Sequence, residues 1–192
     1  MPSTENEIHE EIRLLAAVAA GGRPAFRELY ARYSAPLFSL ALRFMGDAGA
    51  AEEALQDAFV KIWRHAGSYD ARKSQPFTWA VTLLRRTCID HLRKKRRRPE
   101  ALQLPADDTA GAELATPETA RRTTEVHEAA DRLRATLATI APPQRTALEL
   151  ALFSTLTHAE IATQLAQPAG TVKSWIRRGL FDLRGILNEP VP

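Results

Sequence analysis

Apolar positions recur along this chain at steps of three and four, the period of a helix with one buried face. No strand-like alternation appears, so the predicted fold class is all-α. Ile8, Ile12, Leu15 and Ala19 set a first stripe, which Gly21-Gly22 breaks. Phe26, Leu29, Tyr30, Tyr33, Leu37, Leu40 and Phe44 set a second, with a bend expected near Pro36 and an end at Gly46-Asp47. A third helix is predicted from about Ala48 to His65, with Leu55, Phe59 and Ile62 inward. After a loop, Ser74 as N-cap and Pro76 in the first turn open a fourth helix, from about Phe77 to Arg97. Its buried stripe is Phe77, Val81, Leu84, Cys88 and Leu92.

Further on, Ala130, Leu133, Leu137 and Ile140 mark one helix. Pro142-Pro143 ends it and opens another, with Leu148, Ala151 and Leu152 inward. The stretch Thr157–Leu187 then reads as a helix-turn-helix. Thr157 and Glu160 form a T-x-x-E capping box, and Ile161 and Leu165 give the short helix its apolar face. Pro168 suits the first turn of the next helix, whose stripe is Val172, Ile176, Leu180, Leu183 and Leu187. Such turns often use Gly, but this one holds Ala166, at a cost of about 1 kcal/mol if the backbone there is left-handed.

Between these two sets of helices the character changes. Pro99 to Ala120 holds five acids and no Lys or Arg, with Pro99, Pro105 and Pro117 and little periodicity. That composition predicts a flexible acidic linker joining two helical domains.

The net charge is only +3, but the cations are clustered, and nucleic-acid affinity depends on local patches. Arg93 to Arg98 is a run of six cations, which implies an anionic partner. Thr82, Arg85, Arg86 and Arg93 make a basic face on the fourth helix, and Trp79 lies near them. Aromatic side chains among cations suit unstacked bases. The start of the last helix offers Thr171, Lys173, Ser174, Arg177 and Arg178, donors of the kind that read base edges in a major groove. A solvated basic face is the bland alternative. Glu52, Glu53, Gln56, Asp57 and Lys61 face outward on the third helix, as either a solvated surface or a docking surface for a protein.

Catalytic and metal readings find little support. The five His are scattered, and no Cys/His spacing fits zinc. No Gly-rich phosphate loop or nucleophile constellation is present, so neither enzyme activity nor a cofactor is expected. The single cysteine, Cys88, allows no intrachain disulfide and reads as a small buried hydrophobe. No apolar run approaches the ~20 residues of a membrane span, and the acidic N-terminus does not look like a signal peptide. A cytoplasmic location is therefore the expectation.

Three segments together resemble one family. They are FRELYARYSAPLFSLALRFMGDAGAAEEALQDAFVKIWRH, SYDARKSQPFTWAVTLLRRTCIDHLRKKRRR, and ATIAPPQRTALELALFSTLTHAEIATQLAQPAGTVKSWIRRGL. In this order and spacing they are similar to the two domains of an extracytoplasmic-function (ECF) sigma factor of the sigma-70 family. The likeness covers about Pro24–Arg98 and Glu118–Leu187. It implies an N-terminal helical extension over 1–22, sigma region 2 over 23–98, a linker over 99–117 and sigma region 4 over 118–188. It implies a specificity subunit that binds core RNA polymerase and directs it to promoter DNA, with no small-molecule substrate. Region 2 would meet the −10 element through Trp79, Arg85, Arg86 and Arg93, and core polymerase through Glu53, Gln56, Asp57 and Val60. Region 4 would set Thr171, Lys173, Ser174, Arg177 and Arg178 on the −35 element. An anti-sigma factor, often membrane-anchored in the family, is the further partner implied.

Two residues depart from the family pattern. Arg86 stands where many members have Asn, and could read a different base or hold phosphate. Trp175 stands where members often have Arg, placed for packing or for a thymine methyl. Two other functions compete: a sigma-like decoy that only titrates an anti-sigma factor, and a plain helix-turn-helix repressor. No receiver domain of the kind attached to the known decoys is encoded, and the retained basic faces also disfavour the decoy.

Overall fold

A computed structural model describes residues 4–97, 134–154 and 156–187. The first domain is built from α1 (Thr4–Ala19), α2 (Arg23–Met45), α3 (Ala48–His65), a 3-10 turn (Ala66–Ser68) and α4 (Pro76–Arg97). The second contains a helical segment over 134–139, then α5 (Pro142–Phe153), α6 (His158–Gln164) and α7 (Ala169–Leu187). Among the described residues there is no strand. The linker 99–117 and the first turns of the second domain, with Ala130 and Leu133, lie outside the described residues.

Local chemistry sets the helix ends. Gly21 (φ +84°) breaks the chain after α1, and Pro24 sits in the first turn of α2. Gly46 (φ +70°) closes α2 in the left-handed conformation that suits glycine, its N–H donating to the Leu42 carbonyl at 2.9 Å. Asp47 then caps α3 by accepting from the Ala50 N–H at 2.8 Å. α4 begins at Pro76, so Ser74 is not its cap; the Gln75 carbonyl takes the first helical bond, from the Trp79 N–H at 3.0 Å. The Ser74 carbonyl instead accepts from the Tyr69 hydroxyl at 2.8 Å.

The core follows the expected stripes, except that Leu92 of α4 is only half-buried, Tyr30 is exposed and α1 is rolled. Leu29, Tyr33, Leu37, Leu40, Leu55, Phe59, Ile62, Phe77, Val81, Leu84 and Cys88 are buried between α2, α3 and α4. Tyr30, counted with the α2 stripe, is 44% exposed at its edge. On α1 the buried side is Glu11, Leu15 and Val18, while Ala19 is exposed. The helix is rolled relative to its apolar count, and the roll puts a carboxylate inside. In the second domain Leu137, Ile140, Ala147, Leu148, Leu152, Ile161, Val172, Ile176, Leu180 and Leu183 form the core. Gly179 lets α7 approach α5: a Cβ there would lie 2.8 Å from Leu148 Cδ2.

The two domains pack on each other, with α7 touching both α2 and α4.

Candidate nucleic-acid interface

The turn between α6 and α7 fixes the presented face. Both halves of the capping box form: the Thr157 N–H donates to Glu160 Oε2 at 2.6 Å, and the Glu160 N–H donates to Thr157 Oγ1 at 3.3 Å. Hydrogen bonds from the Thr157 N–H and then the Thr157 side chain hold the Glu160 carboxyl below its ordinary pKa. Ala166 is left-handed at φ +50°. Its N–H donates to the Thr163 carbonyl at 3.1 Å and that of Gln167 to the Ala162 carbonyl at 2.9 Å, a Schellman closure. Pro168 precedes α7 rather than lying in its first turn; its carbonyl accepts from the Val172 N–H at 3.1 Å.

With Val172, Ile176, Leu180 and Leu183 turned inward, the opposite side of α7 is set. Lys173, Arg177 and Arg178 are exposed, and Thr171 and Ser174 are half-buried beside them. Trp175 is half-buried against the core, the packing arm of its two readings. Leu187 closes the expected stripe, but its side chain lies outside the described residues.

On α4 the expected cationic face divides. Arg86 and Arg93 are exposed. Trp79 is half-buried, its ring 5.5 Å from that of Tyr69 in an edge contact. Burial of the Tyr69 phenol pushes its pKa up to about 12. Arg72 and Lys73 both pair with Asp70, at 3.1 and 3.8 Å. Arg85 is turned away from solvent: its Nε donates to the Leu152 carbonyl at 3.0 Å, and a second guanidinium nitrogen donates to the Ser154 carbonyl. One of the four residues read as facing the −10 element is thus held by the second domain.

The α3 set stays together. Glu53, Gln56, Asp57 and Val60 are all exposed, Val60 by 46%, and the exposed Tyr30 of α2 meets Phe59 of α3 at 4.5 Å. Asp57 pairs with His91 of α4 at 2.9 Å, and Lys61 with Asp90 at 3.5 Å. These bonds tie α3 to α4 without covering the outward surface.

Cys88 is fully buried, and burial pushes its thiol up to about 12, far from the reactive thiolate. Among the described residues no group of three or more His, Cys, Asp or Glu side chains is placed to hold a metal ion. None of the described helices is long and apolar enough to cross a membrane.

Sequence reasoning missed one pair, Glu11 and Arg184, which are ion-paired and buried between α1 and the last turn of α7. Burial raises the Glu11 carboxyl above its ordinary pKa, with Arg184 and Tyr33 acting in the opposite direction. The sequence signal was faint: an acid facing inward between Ile8 and Leu15.

A bundle that exposes one acidic helix face, followed by a helix-turn-helix with cations at the start of its second helix, is the arrangement of a two-domain helix-turn-helix protein. Sigma-70 region 2 matches residues 29–98, and Sigma-70, region 4 matches residues 130–182. The ECF RNA polymerase sigma factor SigK of Mycobacterium ulcerans is 32% identical over 183 residues, covering 91% of this chain and 92% of that one. SigK of Mycobacterium tuberculosis is 29% identical over 182 residues, with the same coverage. Among solved structures, CnrH in complex with the cytosolic domain of CnrY is 22% identical, covers 92% of this chain and 96% of its own, and has a TM-score of 0.41. The chain belongs to the sigma-70 family and, within it, to the ECF RNA polymerase sigma factors.

Proposed function

We propose that this ECF sigma factor docks on core RNA polymerase through Glu53, Gln56, Asp57 and Val60 of α3, and directs it to promoters by two separate DNA contacts. Lys173, Arg177 and Arg178, helped by Thr171 and Ser174, enter the major groove of the −35 element. Trp79, Arg85, Arg86 and Arg93 of α4 meet the −10 element, where an aromatic ring and cations suit an unpaired strand. The observation that carries this reading is the capped helix-turn-helix, whose buried stripe leaves the three cations of α7 exposed at its reading end. An anti-sigma factor, either soluble or membrane-anchored, is the inhibitory partner.

Run-off transcription with purified core enzyme on genomic fragments tests the whole. Arg177→Ala or Lys173→Ala should weaken −35 binding by roughly 1–3 kcal/mol each if the contact is bidentate. Asp57→Ala should weaken core association and leave duplex binding unchanged. If transcription ignores all three changes, the assignments fall. Gel shifts with and without core enzyme separate this reading from a repressor, which would bind duplex DNA tightly alone. Recovery of polymerase but no inhibitor in a native pull-down counts against the anti-sigma partner.

A further inference from the structure

Among the described residues, contacts at three places hold the second domain on the first. At the centre, the Arg184 guanidinium pairs with Glu11 of α1, and the two side chains are 10% and 1% exposed. The same guanidinium lies over the rings of Tyr33 and Phe77, at 5.4 and 5.7 Å from their centroids. To one side, the Phe153 ring at the end of α5 meets Phe44 at 4.9 Å and lies under Arg43 at 5.5 Å. The third contact is Arg85, donating to the Leu152 and Ser154 carbonyls. Leu15 and Val18 seat α1 on the first domain, and Val172, Ile176, Leu180 and Leu183 seat α7 in the second.

We propose that α1 is an intramolecular strap: Glu11 captures Arg184 and holds the second domain docked on the first, in a closed form that withholds Arg85 from promoter DNA. The withholding rests on the reading above that Arg85 belongs to the DNA-facing side of α4; the strap itself does not. Lys173, Arg177 and Arg178 stay exposed in the closed form, so the start of α7 is not what is blocked. What is blocked is Arg85, together with the separation that lets two domains reach two DNA elements. The chemistry of the latch suits release. The Coulomb gain of a buried ion pair is nearly offset by the desolvation of its members, so a competing surface can open it.

The test uses the full chain. Small-angle scattering reads the closed form as a radius of gyration, and fluorescence anisotropy reads binding of a labelled mixed-sequence single-stranded oligonucleotide. Arg184→Glu and Glu11→Arg should each expand the chain, and the two combined should restore compactness. Phe153→Ser, which changes no charge and lies on a half-buried side chain, should also expand it and should tighten single-strand binding several-fold. Adding Arg85→Ala to Phe153→Ser should abolish that gain. If Arg184→Glu fails to fold, Phe153→Ser decides alone. An unchanged radius in Phe153→Ser and in every folded charge variant overturns the strap. Expansion without tighter binding overturns the withholding of Arg85. Loss of core association bears on the proposed function and not on the radius, so the two readings fail separately.

Discussion

At φ +50°, Ala166 holds a conformation in which its methyl group crowds the backbone. The turn requires it there, because the Thr163 and Ala162 carbonyls are closed by the next two N–H groups. Glycine removes the crowding at the cost of a more mobile unfolded chain. Ala166→Gly is therefore expected to raise stability by up to about 1 kcal/mol, read as a higher melting temperature. A lower one would mean the strain is smaller than the added entropy. This site was legible in sequence, since a capped short helix followed by Ala-Gln-Pro leaves one residue to make the turn. Arg85 and Glu11 were not legible in the same way. A cation on a basic face shows its charge but not its partner, and the carbonyls that hold Arg85 lie 67 and 69 residues away. An acid in an acidic helix reads as solvated until a buried arginine from the far end of the chain is set against it.

Elements were more legible than their rotations. α3 spans the predicted Ala48–His65, because Asp47 caps one end and the Leu55, Phe59 and Ile62 stripe leaves no other way to bury it. α1 was expected in place but is rolled to bury Glu11, since apolar spacing alone cannot see a charged partner. Of the two prolines expected in a first turn, Pro76 opens α4 as expected, whereas Pro168 lies one residue before α7. The α5–α7 approach depends on a residue with no signal in the stripe, Gly179. Its missing Cβ makes room for Leu148, which is fully buried and has little space to move. Gly179→Ala should destabilise the chain by roughly 1–3 kcal/mol in chemical denaturation, through overpacking. Trimming the neighbour should relieve this, so Gly179→Ala should cost less in a Leu148→Val background. Equal costs in the two backgrounds would show that the two side chains do not meet.

For the whole molecule, the two-domain organisation was readable from the acidic, proline-rich break, but the docking of the domains was not. It rests on a few long-range contacts whose charged members, Glu11, Arg85 and Arg184, each look solvated in the sequence. One consequence is a pH dependence centred on His158 at the start of α6. Its imidazole is lowered from the ordinary 6.5 by burial first, then by Lys173 beside it and by Arg85 from the other domain. A depressed histidine binds protons less readily in the packed chain than in the open one. Its contribution is therefore fully present above about pH 6.5 and is lost as pH falls through the depressed value. Glu11 acts with the opposite sign. Its raised carboxyl favours the packed chain below the ordinary 4.5, and that gain is lost as pH rises through the raised value. The wild-type curve mixes the two, but its difference from a His158→Gln curve isolates the imidazole. Between roughly pH 7 and pH 5.5, wild type should lose more thermal stability than His158→Gln. Arg85→Ala, which removes the cation contributed by the other domain, should shrink that difference. Parallel melting curves for wild type and His158→Gln would mean that His158 titrates alike in the packed and open chains, and its share of the acid sensitivity would fall away.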